Sequence, residues 1–314
     1  MLIRRLSISS LLFGLLGLML LLSACGNASS SSGTNTQSTL TAGQVLQKAI
    51  ASMQHLKTVH LDFVLTDNLQ MQGQGTATPA SQSSTLPTNQ TLSMQGSSDD
   101  ILPDQGAAQL RLTIPGLGSD LQVHEVLKDG KIYLQNKQGQ WYVLDQGSLS
   151  GSSNLFGTAS NEQYSRLLSL AQKGQLTDHG DQTLHGQSLR HISVTFGKDA
   201  LKDLFSSFGQ LPSGLSQSDL QQIEQSLTLR QANLELWIDE QNFYVHELNL
   251  KTIIDIDLSK LLQATPTSGA SSLSGVFTVQ NNATVDYSKF NQPVTINAPA
   301  NAIPTTNPLI VFEQ

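Results

Sequence analysis

Histidines and paired carboxylates are the residues of this 314-residue chain whose spacing could support catalysis or metal binding. His60 and Asp62 lie two residues apart, and on one strand face such a pair binds a metal or forms a surface ion pair. Two carboxylates held at a set separation can hydrolyse glycosides. Three carboxylate pairs occur: Asp99-Asp100, Asp239-Glu240, and Asp255 with Asp257.

The sequence around these residues favours roles without chemistry. None of the seven histidines falls in an HExxH motif or a Cys/His cluster, and no GxSxG motif occurs. Asp239-Glu240 separates two predicted strands and is interpreted as a hairpin turn. Asp255 and Asp257 alternate with apolar residues, so we expect them to face water. We predict no catalytic residue, no metal site and no cofactor, and we do not expect an enzyme.

The only cysteine, Cys25, directly follows an N-terminal apolar segment. Arg4 and Arg5 precede residues 11–22, which are apolar or glycine and lead into the sequence LSAC. This pattern resembles the lipobox of bacterial lipoproteins, whose cysteine is diacylated and becomes N-terminal after cleavage. The resemblance implies a signal peptide over residues 1–24 and a membrane anchor on Cys25. An ordinary signal peptide or a membrane helix is the alternative, but a span needs about 20 apolar residues.

Composition excludes one class of partner and indicates a compartment. Only 13% of residues are charged, the net charge is −7, and no cluster of Lys or Arg follows the signal. Nucleic-acid binding is therefore not expected. Residues 25–39 are rich in Ser, Asn and Gly and are predicted to form a flexible tether. We expect a lipid-anchored protein on the extracytoplasmic face of a membrane in the cell envelope.

The rest of the chain predicts an α+β domain over residues 40–300, followed by a tail over 301–314. Apolar residues spaced three and four apart predict a helix over 42–54, with Thr41 and Gln44 as a capping box. Alternating apolar residues predict about ten antiparallel strands, two of them joined by Asp129-Gly130. Further amphipathic helices are predicted near 198–208 and 216–227. One apolar sheet face with a few helices forms two layers.

Four short sequence segments, taken in their order along the chain, resemble segments of the LppX/LprAFG family of lipoproteins. That family is similar to the LolA/LolB carriers. The four segments are residues 45–49 with 56–61, 130–134 with 140–141, 185–192, and 236–239 with 245–248. The resemblance implies a strongly curved antiparallel half-barrel with helices on its concave face. It also implies an apolar cavity for a lipid or lipopeptide ligand, and an envelope transporter as a partner.

Residues on the predicted apolar faces are the expected lining of that cavity. They are Val59, Leu61, Phe63, Leu110, Leu112, Ile114, Leu201, Leu204, Phe205, Leu236, Ile238, Leu248 and Leu250. The predicted function is binding an amphiphile for transport or chaperoning within the envelope. The same residues would also form a solid core if the helices fill the space above the sheet. A non-catalytic sensory or protein-interaction module is then the alternative.

Overall fold

Helix α1 (Ala42–Gln54) forms where the capping box and the apolar stripe predict it. The Thr41 hydroxyl accepts a hydrogen bond from the Gln44 backbone N–H, and the Gln44 side chain accepts one from the Thr41 N–H. These two bonds satisfy donors that a helix N-terminus leaves unpaired. The stripe is buried against the sheet: Val45, Leu46, Ala49, Ile50 and Met53.

The computed structural model describes residues 39–72, 89–113, 115, 120–145, 168–197, 225–263 and 275–307. The described residues from Leu40 onward belong to one compact unit. Its strands are β1 (Thr58–Gln72), β2 (Asn89–Ile101), β3 (Gln105–Thr113), β4 (Leu121–Lys128), β5 (Lys131–Gln135), β6 (Trp141–Asp145), β7 (Gln175–Leu184), β8 (Gln187–Thr195), β9 (Leu227–Ile238), β10 (Val245–Asp257), β11 (Val276–Ser288) and β12 (Ile303–Pro304). A short helix, α2 (Leu258–Gln263), follows β10. No helix within these described ranges is long and apolar enough to span a membrane.

All twelve strands form one curved, unclosed sheet in the order β12-β6-β5-β4-β3-β2-β1-β11-β10-β9-β8-β7. Every pairing is antiparallel except that of β12 with β6. The predicted curved α+β architecture is confirmed in kind, but the predicted count of about ten strands is wrong. One reason is the tail, where the Thr305 N–H donates to the Val143 carbonyl at 2.9 Å and places β12 on the sheet edge.

Tight turns set the register of two hairpins. Asp129 and Gly130 both have positive φ, at 52° and 69°, as the predicted two-residue turn requires. His185 and Gly186, between β7 and β8, also have positive φ, at 49° and 79°. Asp239 begins a longer turn between β9 and β10, where its carboxylate accepts backbone N–H bonds. The hairpin interpretation of Asp239-Glu240 is therefore confirmed.

Strand alternation gives the sheet an apolar face and a polar face. Residues opposite each other in neighbouring strands share a face, so the register traces each face across the sheet. One apolar row is Leu236, Leu248, Val285, Phe63, Gly96, Leu110 and Val123. The adjacent polar row is Trp237, Glu247, Asp286, Asp62, Ser97, Gln109 and His124.

Two buried clusters occupy the apolar face. The helix-packed cluster joins α1 to β1, β8, β9 and β10, and its most buried members are Val45, Leu46, Val59, Ile192, Leu234, Leu236 and Ile238. The meander cluster lies on β3 to β6 and contains Ala108, Leu110, Leu121, Val123, Leu127, Ile132, Leu134 and Leu144. Both clusters bury their members to normal core levels.

Candidate functional site: the apolar face of the sheet

The structure places most of the predicted lining residues on one face, in two groups. Six lie in the helix-packed cluster: Val59, Leu61, Leu236, Ile238, Leu248 and Leu250. Leu110 lies in the meander cluster, with Phe63 and Leu112 packed against it. The remaining predicted residues lie outside the described residues: Cys25, Ile114, Leu201, Leu204 and Phe205.

The same face continues beyond both clusters as a set of apolar side chains that are only partly buried. We call this set the distal apolar surface, because it lies at the end of β1 away from α1. Its members are Leu65, Leu69, Met71, Leu92, Met94, Ile256, Phe277 and Val279. None of them belongs to either buried cluster.

Strand register spreads the distal apolar surface over four strands. Leu69 is opposite Val279, and Met71 is opposite Phe277, which in turn is opposite Ile256 on β10. On the other side of β1, Leu65 is opposite Met94. The surface extends along β1 from Leu65 to Met71, a length of roughly 20 Å at about 3.3 Å per residue. Sequence parity in β1 and β11 could have identified these residues, but the prediction stopped at Phe63 on β1.

One polar contact interrupts this apolar surface. The Asn281 side-chain amide donates to Asp67 Oδ1 at 2.7 Å, and both residues are partly buried. Asp67 and Asn281 are opposite each other on β1 and β11, between the Leu65 and Leu69 rows of the apolar face. The pair satisfies its own hydrogen bond while leaving other acceptor positions on the carboxylate.

Two carboxyl groups are buried on the apolar face, at its border between the two clusters. Asp100 is 1% exposed and Glu125 is 3% exposed. Burial raises the pKa of Asp100 to about 7 and that of Glu125 to about 8, the nearby Asp100 adding to the second shift. Near neutral pH Glu125 is therefore largely protonated, whereas Asp100 is protonated only in part. Among the residues that the structure describes, one oxygen of each, Asp100 Oδ2 and Glu125 Oε2, has no hydrogen-bond partner.

Small residues surround these acids. Ser98 Oγ donates to Asp100 Oδ1 at 2.5 Å, and Ala108 lies opposite both Ser98 and Glu125. Tyr287 is fully buried, and burial raises the pKa of its hydroxyl, with the Asp100 charge adding to the effect. Asp99-Asp100 is recognisable as a carboxylate pair in the sequence, but the burial of Asp100 is not, because no local pattern signals a buried carboxyl group.

Gly96 brings the neighbouring strands into close contact just beside the acids. A Cβ atom at this position would lie 2.3 Å from the Gln109 carbonyl oxygen and 3.0 Å from the side chains of Phe63 and Leu110. The two side chains therefore fill the space above Gly96. This contact separates the distal apolar surface from the buried carboxyl groups.

The polar face carries a cavity and several histidine–carboxylate contacts. A cavity of about 510 Å³ is lined by Asp62, Ser97, Gln109, Arg111, His124 and Asp286, among others. His60 Nε2 lies 3.4 Å from Asp62 Oδ2, and His60 Nδ1 lies 2.6 Å from Asp99 Oδ1. Further along this face His191 stacks on Trp237 with ring centroids 4.5 Å apart. Most of the cavity's lining residues are polar, although Phe63, Val64 and Leu110 also line it, so it offers acyl chains little continuous apolar contact.

No protein-family model matches the chain, and no curated protein matches it. Among solved structures, the chain aligns with LprF from Mycobacterium bovis at 13% identity and a TM-score of 0.41, covering 82% of this chain and 97% of that one. It aligns with the lipoprotein LppX of Mycobacterium tuberculosis at 14% identity and a TM-score of 0.36, covering 82% and 100%.

A putative outer membrane lipoprotein-sorting protein domain from Vibrio parahaemolyticus also aligns, at 9% identity and a TM-score of 0.23, covering 81% of this chain and 93% of that one. LprF and LppX, whose structures resemble that of this chain, are of the family named in the sequence analysis. At these identities and TM-scores the function has to be argued from the chain's own residues.

Proposed function

We propose that this protein is a membrane-anchored, extracytoplasmic lipoprotein that binds a lipid or another amphiphile on the apolar face of its sheet. The observation that carries the proposal is the distal apolar surface. A folded domain normally buries large apolar side chains that share a face with its core, and a contiguous set that stays partly exposed is typical of a binding site.

The energetics suit acyl chains. Each methylene group removed from water contributes about 0.8 kcal/mol, so ten buried methylenes contribute roughly 8 kcal/mol. Part of that gain offsets the loss of the ligand's freedom on binding. Over the roughly 20 Å along β1, an extended chain would meet apolar side chains on either side of the Asp67–Asn281 pair, and the carboxylate of Asp67 offers a polar contact within the same surface.

The proposed mechanism involves no covalent step. An acyl chain leaves the bilayer only when another apolar surface replaces its surroundings, and the distal apolar surface would supply it. A diacylated Cys25 would hold the domain close to the donor membrane, because two acyl chains anchor a protein stably whereas one does not. Delivery to an envelope transporter or another acceptor would complete the transport cycle.

A second candidate is a sensory or protein-interaction module without lipid cargo. It is favoured by the two buried clusters, where side chains such as Val59, Val123 and Leu234 are completely buried and leave no opening around themselves. In that case the partly exposed apolar residues would contact a protein instead of a lipid. The lipid-binding proposal predicts that the protein binds free fatty acids, whereas the interaction module predicts that it does not.

A fluorescent fatty acid titrated into the protein tests the proposal, with one strand supplying both the test variant and its control. Leu69→Gln places an amide on the apolar face of β1. Val64→Gln makes the same kind of change on the polar face, where Val64 is 49% exposed. Losing two to three buried methylene contacts costs about 2 kcal/mol, so we expect Leu69→Gln to weaken binding about 30-fold.

The Val64→Gln variant should bind as the parent protein does. Absence of fatty-acid binding by the parent would refute the lipid proposal and leave the interaction module. Equal weakening by both variants would show that the apolar face of β1 is not the binding surface.

A further inference from the structure

The tip of the β7–β8 hairpin reaches across the polar face to strands β10 and β11. His185 occupies the first turn position, with φ of 49°, and its side chain is 70% exposed. Its Nε2 lies 3.3 Å from Glu247 Oε2 and 3.3 Å from Asp286 Oδ1. The fold thereby brings His185 next to two residues, Glu247 and Asp286, that lie 62 and 101 positions after it in the sequence.

These separations match those around a bound metal ion. Zinc binds imidazole nitrogen at about 2.0–2.1 Å and carboxylate oxygen at about 2.0–2.2 Å, so neighbouring tetrahedral ligands lie roughly 3.3–3.5 Å apart. The three ligand atoms all lie within 4.8 Å of one another. We propose that His185, Glu247 and Asp286 form a divalent-metal site suited to Zn²⁺, which fastens the β7–β8 hairpin to the polar face.

The electrostatics of the cluster favour a cation. Glu247 is 8% exposed and lies beside Asp286 on the neighbouring strand. Within the described residues, the ion-pair contacts of both carboxylates are to His185 and not to Lys or Arg. A divalent cation would neutralise both carboxylates and remove their mutual repulsion.

Surrounding residues supply two further features of a metal site. The Asn249 side-chain amide donates to Glu247 Oε1 at 2.7 Å, which leaves Oε2 to face His185. Such second-shell hydrogen bonds orient metal ligands. Asp286 also lines the 510 Å³ cavity on the polar face, together with the exposed Asp62. That cavity gives the fourth coordination position room for water.

A second cluster on the same face has suitable donors but unsuitable geometry. His179, His191 and Glu235 lie close together. The rings of His179 and His191 are stacked, however, with centroids 4.4 Å apart and planes inclined by 23°. Imidazole lone pairs lie in the ring plane, so two nearly parallel rings do not converge on one ion. His179 therefore serves as a control residue.

The test is a titration of the full chain with ZnCl2 after dialysis against a chelator, using protein without a polyhistidine tag. We expect one equivalent to bind and Co²⁺ to give the intense visible spectrum of a tetrahedral site. His185→Asn keeps a residue that tolerates the left-handed turn. Both His185→Asn and Glu247→Gln should weaken zinc binding by about 100-fold or more, and Asn249→Ala by about 10- to 100-fold.

His179→Asn is the matched control, on the same hairpin, and should bind zinc as the parent does. No zinc binding by the parent, or unchanged binding in both His185→Asn and Glu247→Gln, would overturn the proposal. Loss in His179→Asn alone would place the ion in the other cluster and overturn it as well. Since His185 is exposed, that variant remains informative even if Glu247→Gln fails to fold. Fatty-acid binding is measured in a separate titration, so a failure of the zinc proposal can be distinguished from a failure of the lipid-binding proposal.

Discussion

Replacing Glu125 by glutamine should change how the stability of the protein depends on pH. Glu125 is buried on the apolar face, and its Oε2 has no hydrogen-bond partner within the described part of the chain. Burial and the neighbouring Asp100 raise its pKa from 4.5 to about 8. The folded protein therefore keeps a proton on this group at pH values where the unfolded chain has already lost it.

The sign of the effect follows from proton linkage. Above pH 4.5 the unfolded chain ionises at Glu125 while the folded chain does not, so the free energy of unfolding falls as pH rises. The loss continues until the folded group also ionises, near pH 8, and then levels off. Asp100, whose pKa is raised from 3.8 to about 7, contributes in the same direction over a slightly lower range.

The magnitude can be worked from the raised pKa. One pKa unit corresponds to 1.36 kcal/mol, so Glu125 lowers stability by at most about 5 kcal/mol above pH 8. Glutamine cannot ionise, so the Glu125→Gln variant does not lose this stability as pH rises. Its buried amide, however, adds unpaired hydrogen-bond donors that cost about 1–3 kcal/mol. We therefore expect Glu125→Gln to be less stable than the parent near pH 5 and more stable near pH 8.

Urea unfolding followed by circular dichroism at several pH values between 5 and 9 measures this difference directly. The control is Asp129→Asn, an acid-to-amide change at an exposed turn where asparagine suits the positive φ. The control should follow the parent at every pH. If Glu125→Gln also runs parallel to the parent across this range, Glu125 ionises normally in the folded protein and the reasoning is refuted.

Three further predictions concern the scaffold. Gly96→Ala should destabilise the domain by several kcal/mol in urea unfolding, since its Cβ would lie 2.3 Å from the Gln109 carbonyl oxygen; a cost below about 0.5 kcal/mol would contradict this contact. Thr41→Ala should lower the free energy of unfolding by about 1 kcal/mol through loss of the α1 cap, whereas Thr41→Ser should restore it. Asp178→Asn should cost about 1–3 kcal/mol, because the buried Arg190 loses its bidentate partner but keeps the Glu240 carboxylate at 3.5 Å; unchanged thermal unfolding would show the pair to be unimportant.

Local patterns are sufficient to predict most of the secondary structure within the described residues, whereas the helices predicted near 198–208 and 216–227 fall mostly outside them. The 3–4 spacing and capping box identified α1, alternation identified the long strands, and the Asp129-Gly130 pair identified the β4–β5 hairpin. These features depend on residues close together in sequence, where side-chain periodicity directly reports which face is buried.

Contacts between distant segments were not predictable from one sequence. β1 pairs with β11, so His60 lies opposite Ser288, and no local signal indicates that register. The same holds for the contact between His185 and Asp286. Asp100 and Glu125 were missed for a different reason: carboxyl groups are rarely buried, so a pattern-based prediction places them in water.

Native mass spectrometry of residues 26–314, which omit Cys25, tests the central claim most directly. The protein should be purified from a membrane-containing host, and any bound molecules extracted and identified. The lipid-binding account predicts a second mass species at near-stoichiometric occupancy, which disappears on extraction and is diminished by Leu69→Gln. A clean mass for the protein alone, unchanged after incubation with lipids or fatty acids, would contradict the account.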